Sequence, residues 1–160
     1  MSYHFTRLGL SLSEFGLYYS VISFGYLIGN LVIRRTGHHF DSGFWVYWGS
    51  VLCALLLVIM WVLDATNNLT ALRLSALLSL IGFSHGLLIA NAIIASLKGT
   101  GAYAGTANGM GGASHVLLGG VAGSLIILAG GATSFSVCMF ITLAMALTSL
   151  WAASKARHLP

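Results

Sequence analysis

Residues 44–63 read FWVYWGSVLCALLLVIMWVL, an unbroken run without a charge that Asp64 closes. At 1.5 Å per residue, a helix over this stretch is about 30 Å long, which matches the hydrocarbon core of a bilayer. A helix resting on a soluble core would keep one polar face, whereas here apolar side chains fall on every side of the turn. Lipid is therefore its expected surrounding.

Outward from this run, four more segments of similar length appear. Residues 15–33 precede it, from Phe15 to Ile33, and stop at Arg34-Arg35. Residues 74–97 follow it, between Arg73 and Lys98, then the glycine-rich 106–129, and 133–153 after the Gly130-Gly131 pair. The joining segments are short, so neighbouring helices are expected to run antiparallel. The 160 residues are 58% hydrophobic and 6% charged, against about 25% charged in soluble domains, which leaves no stretch able to fold in water by itself. Twenty glycines and one proline suit helices that pack closely in a membrane better than a barrel. The expected fold is all-α: a single transmembrane domain over residues 1–160, a polytopic helix bundle of about five spans.

Residues 1–13 contain no long apolar region and read as a loop rather than a signal peptide. Arg34, Arg35, Lys98, Lys155 and Arg157 lie on one side of the predicted spans and Arg7 and Arg73 on the other. The basic-rich side should be cytoplasmic, which puts the N-terminus outside and the C-terminus inside. A net charge of +4, spread over several loops, makes no nucleic-acid-binding patch. Cys53 and Cys138 sit in apolar runs without metal-ligand spacing and read as small core residues. Trp45, Tyr47, Trp48, Trp61 and Trp151 lie near span ends and suit an interfacial aromatic belt.

The glycines are patterned. At 100° per residue Gly105, Gly109, Gly112, Gly119 and Gly123 share one stripe, with Leu117, Val121, Leu125 and Leu128 opposite. Gly25 with Gly29, and Gly82 with Gly86, repeat the spacing of four that lets helix backbones approach. In the third span Ser84 and Asn91 lie on one side, nearly opposite Gly82 and Gly86, with His85 between. A helix with two faces unsuited to lipid is either surrounded or lines a cavity.

Polar groups in hydrocarbon are expensive, so His85, Asn91, Asn108 and His115 should point at protein or water. Each could serve only as an interhelical hydrogen bond worth about 0.6 kcal/mol. The histidines could instead carry protons, because imidazole titrates near neutrality. A rival reading makes His85 and His115 axial ligands of a b-type haem, although the four-histidine, two-haem pattern is absent. The three acids, Glu14, Asp41 and Asp64, stand at span ends or in loops, and no nucleophile elbow, zinc-protease or phosphate-loop motif occurs. The chain is not expected to be an enzyme or to hold a cofactor or metal.

Several stretches resemble the second half of a major facilitator superfamily transporter, in particular the drug-efflux antiporters of the Bcr/CflA type. Gly9-Leu10-Ser11 with Glu14-Phe15-Gly16 is similar to the outer loop before that family's eighth helix. Gly29-Asn30-Leu31 with Arg34-Arg35-Thr36-Gly37 resembles the cytoplasmic loop that follows, though Ile33 stands where the family signature has an acid. Asn91-Ala92, then Ala104-Gly105-Thr106-Ala107 with Gly109, resemble the end of the tenth helix and the start of the eleventh, without the usual proline before them.

The resemblance implies a partial transporter fold, helices eight to twelve of twelve, in an inner plasma membrane, exporting drugs or similar small amphipathic molecules against protons. Tyr19, Ser23, Asn30, His85, Asn91 and His115 would then line the substrate cavity, and Arg34, Arg35 and Gly37 would form the cytoplasmic loop motif. Alternating access needs two halves. The chain is therefore expected to be a fragment, truncated product or split subunit, inactive without an N-terminal half or self-association. A small membrane scaffold that associates through its glycine faces is the alternative.

Overall fold

Ser11 opens the first helix by capping it. In the computed structural model, which describes residues 11–97, 100–128, 140–144, 146–148, 151 and 154, helix α1 spans Leu12–Thr36. The Ser11 backbone N–H donates to Glu14 Oε2 at 2.8 Å, and the Glu14 N–H donates to Ser11 Oγ at 3.4 Å. This reciprocal capping box satisfies first-turn donors and starts the helix three residues before the predicted Phe15. At the other end α1 runs through Arg34 and Arg35 rather than stopping before them. Cations are favoured there by the partial negative charge of a helix C-terminus. The Gly37 N–H closes the end by donating to the Ile33 carbonyl at 2.7 Å.

Helix α2 spans Ser42–Ala65, with Asp41 accepting from the Gly43 N–H at 2.9 Å. The Phe40 ring, just before the cap, meets Trp45 edge-on at 5.7 Å, a staple that fixes how the chain enters the helix. Asn67 takes a left-handed conformation, φ 53°, and turns the chain toward helix α3, Ala71–Leu97. Arg73 ties this turn down by donating from Nη1 to the Asn68 carbonyl at 2.7 Å. A 3-10 turn, Gly101–Tyr103, leads into helix α4, Ala104–Leu128. The predicted 133–153 segment lies largely outside the described residues.

Every regular element among the described residues is helical. Three of them contain spans long and apolar enough to cross a membrane, Gly16–Thr36, Ser42–Ala65 and Ala71–Ala95. The chain is an all-α membrane protein.

Helix α3 is the centre of the packing, with α1 on one face and α2 on the other. Against α1 the contact is backbone on backbone. A Cβ on Gly25 would strike the Ser79 carbonyl, one on Gly29 the Phe83 carbonyl, one on Gly82 the Ile22 carbonyl, and one on Gly86 the Tyr26 carbonyl. Gly82 meets Ile22 and Gly86 meets Tyr26, so the two helices advance together and run parallel, as two short turns between three helices require. Against α2 the contact is made by side chains: Cys53, Leu56, Leu57 and Met60 interlock with Leu74, Leu77 and Leu78. Met60 and Leu74 are fully buried. Lipid tails are as apolar as leucine, so what favours this seam is dispersion between close-packed atoms rather than escape from water.

Helix α4 differs. It makes few contacts with α3, and no described atom lies within 4 Å of where a Cβ would stand on Gly105, Gly109, Gly112, Gly119 or Gly123.

Two outcomes follow from this packing. Gly82→Ala should cost about 1–3 kcal/mol, because its methyl group meets a backbone carbonyl that cannot move alone, whereas Gly119→Ala, whose methyl group meets nothing among the described residues, should leave stability unchanged or raise it by up to about 1 kcal/mol. Thermal unfolding of both variants in the same detergent checks the contrast. At the other extremity, hydrogen bonds from the Ser11 side chain and then its backbone hold the Glu14 carboxyl below the usual carboxylate range. A lowered carboxyl pKa means that the box is complete above that range and is lost as pH falls through the lowered value. Amide exchange in the first turn of α1 should accelerate in acid, and Glu14→Gln should remove the pH step.

Candidate functional site

Ser84 and His85 are neighbours on α3 and Asn91 follows about two turns on, and Gly49 lets α2 approach closely beside Ser84. A Cβ on Gly49 would lie 2.9 Å from Leu88 Cβ and 3.2 Å from the Ser84 carbonyl. Ser84 is fully buried and donates from Oγ to its own helix, to the Ile81 carbonyl at 2.7 Å. Asn91 is buried and does the same, Nδ2 to the Leu87 carbonyl at 2.8 Å. Back-bonding of this kind lets a polar side chain sit in an apolar seam without a partner helix.

His85 reaches outward instead. Its Nε2 lies 3.8 Å from Cys53 Sγ on α2. Two helices thus bring a thiol and an imidazole together, about halfway along α2. His115 on α4 is exposed.

The other candidate cavity residues stand outside this cluster. Tyr19 and Ser23 are exposed on α1. Asn30 is half-buried, and its Nδ2 donates to the Tyr26 carbonyl at 2.9 Å. Arg34 and Arg35 are exposed in the last turn of α1, next to the half-buried Gly37. A shallow apolar groove runs along α4 itself, lined by Val116, Leu117, Gly120, Val121, Ser124 and Leu125. Among the described residues no three metal-ligating side chains gather.

Helix α2 also buries polar atoms that have no partner among the described residues: Ser42 Oγ, Trp45 Nε1 and Ser50 Oγ. Trp48, Trp61 and Trp151 are exposed, as an interfacial belt would have them, but the Trp45 N–H is turned inward. Neither Ser50 nor the pairing of Cys53 with His85 was singled out by sequence, because both depend on how α2 and α3 are rotated against each other. The only trace in the sequence is that Gly49, Ser50 and Cys53 interrupt one flank of an otherwise bulky apolar run.

No family model matches the chain, nor does any curated protein or solved structure.

A buried hydroxyl or indole N–H without a partner costs about 1–3 kcal/mol. Ser50→Ala should therefore raise the unfolding temperature in detergent, and Trp45→Phe should do so to a similar extent. A fall in either variant would mean that a water or another group occupies the seam.

Proposed function

We propose that the chain is the C-terminal, cavity-forming part of a proton-coupled exporter of drugs or similar small amphipathic molecules, of the Bcr/CflA type. It would lie in an inner plasma membrane with its N-terminus outside and its C-terminus in the cytoplasm. The observation that carries this reading is α3, a helix packed on both faces that buries Asn91 in the very stretch whose sequence resembles that family. The Gly29-to-Gly37 segment agrees with it, since Arg34 and Arg35 are exposed where a cytoplasmic loop motif would need them.

On this reading the chain binds rather than transforms its substrate. Alternating access moves one bundle against another around a site near the midplane, so transport needs an N-terminal half or a second copy. Of the three acids, Glu14 precedes the first span, Asp41 caps α2 and Asp64 sits in its last turn. None lies deep in the membrane, so the proton-coupling carboxylate would have to come from the other half. Expression of the chain alone should leave drug accumulation unchanged, and co-expression with a Bcr/CflA N-terminal half should lower it. Efflux by the lone chain would overturn the proposed dependence.

The scaffold reading has one observation in its favour, the open glycine stripe of α4. Gly112→Leu and Gly119→Leu should abolish association with a partner if that reading holds, and leave it intact if the stripe only tolerates close passage.

A further inference from the structure

The Cys53–His85 pair brings a thiol and an imidazole from different helices together, and the thiol has no part in the substrate cavity proposed above. Both residues lie well inside the membrane-spanning helices, away from Asp41 and Asp64 at the two ends of α2. The 3.8 Å between Cys53 Sγ and His85 Nε2 is a usable bite for one metal ion. With bonds of about 2.3 Å to sulfur and about 2.0 Å to nitrogen, the near-linear unit that two-coordinate Cu(I) and Ag(I) favour needs the pair to open by about 0.5 Å. Cysteine is a soft ligand and imidazole accepts soft and borderline metals.

A second observation points the same way and does not depend on the pair. Ser50 stands one helical turn before Cys53 on the same flank of α2, is 3% exposed, and its hydroxyl has no partner among the described residues. A buried hydroxyl that bonds to nothing among the described residues is suited to donate to the anionic sulfur that forms when the thiol loses its proton.

Charge selects the ion. One thiolate and one neutral imidazole carry a single negative charge, so a monovalent cation leaves the site neutral. A divalent ion would leave a net positive charge in hydrocarbon, where an unpaired charge is costly. We propose that Cys53 and His85, from α2 and α3, form a buried intramembrane site for one soft monovalent cation, Cu(I) or Ag(I). On binding, the Cys53 S–H bond breaks, sulfur gives its electron pair to the metal, and the proton leaves to the aqueous phase. No change of oxidation state is involved. The site stands whether or not the chain is half of a transporter.

The test uses the full chain in lipid nanodiscs, with Cys138→Ser so that Cys53 is the single thiol. Ag(I), and Cu(I) held reduced under argon against a chromophoric competitor, are titrated separately. One equivalent should bind, with a thiolate-to-metal ultraviolet band, and X-ray absorption of the Cu(I) form should show one sulfur and one imidazole nitrogen. Cys53→Ser should abolish the band, and His85→Gln should weaken binding at least tenfold. The absorption spectrum of the protein with His85 intact carries the assignment if His85→Gln fails to fold. A sulfur-only spectrum, binding unchanged by folded His85→Gln, binding that survives Cys53→Ser, or no binding would each overturn the site.

Discussion

Four glycines allow α1 and α3 to touch through their backbones, and the rest of the arrangement hangs on that contact. Each of Gly25, Gly29, Gly82 and Gly86 faces a carbonyl of the other helix so closely that a methyl group would not fit. In a bilayer no water is released when helices meet, so shape alone must provide the attraction, and the smallest side chain gives the largest area of close contact. Once α1 occupies one face of α3, the opposite face is left for α2. Ser84, His85 and Asn91 are then removed from lipid by geometry rather than by a charge partner.

The polarity thus buried is largely self-contained. Ser84, Asn91 and Ser75 each donate to a carbonyl of their own helix, three or four residues back. Such bonds satisfy the side chain wherever the helix goes, so they permit burial without directing it. The Cys53–His85 contact is of another kind, because it exists only in the observed rotation of α2 on α3. A site that depends on two helices reports their register, whereas a back-bonded serine does not.

Helix placement was legible because it needs only hydropathy and length. The predicted runs 44–63, 74–97 and 106–129 fall inside Ser42–Ala65, Ala71–Leu97 and Ala104–Leu128 but for Ala129, which lies outside the described residues. Where the reading slipped, a specific chemical detail was responsible. Ser11 and Glu14 form a capping box, a spacing visible in the sequence, and it draws the start of α1 back from Phe15 to Leu12. By charge alone Arg34 and Arg35 should stop the helix, yet it carries them in its last turn, where the negative end of its dipole favours cations. The candidate site was less legible. Ser84, His85 and Asn91 stood out because polar residues are rare in such a run, but Cys53 looked like filler. Its partner lies 32 positions away, and only the turn around Asn67 sets which residues of α2 meet which of α3. The α4 stripe shows the converse: Gly105 to Gly123 align on one face, yet nothing among the described residues meets it.

The backbone lock between α1 and α3 also governs how the protein sits in membranes of different depth. Helices α1 and α3, 25 and 27 residues long, are roughly 37 and 40 Å, both longer than a core of about 30 Å. A helix longer than the core is accommodated by tilting, by kinking or by local thickening of the bilayer. Because the glycines leave no slack for the two to splay, an accommodation adopted by one helix is shared by the other.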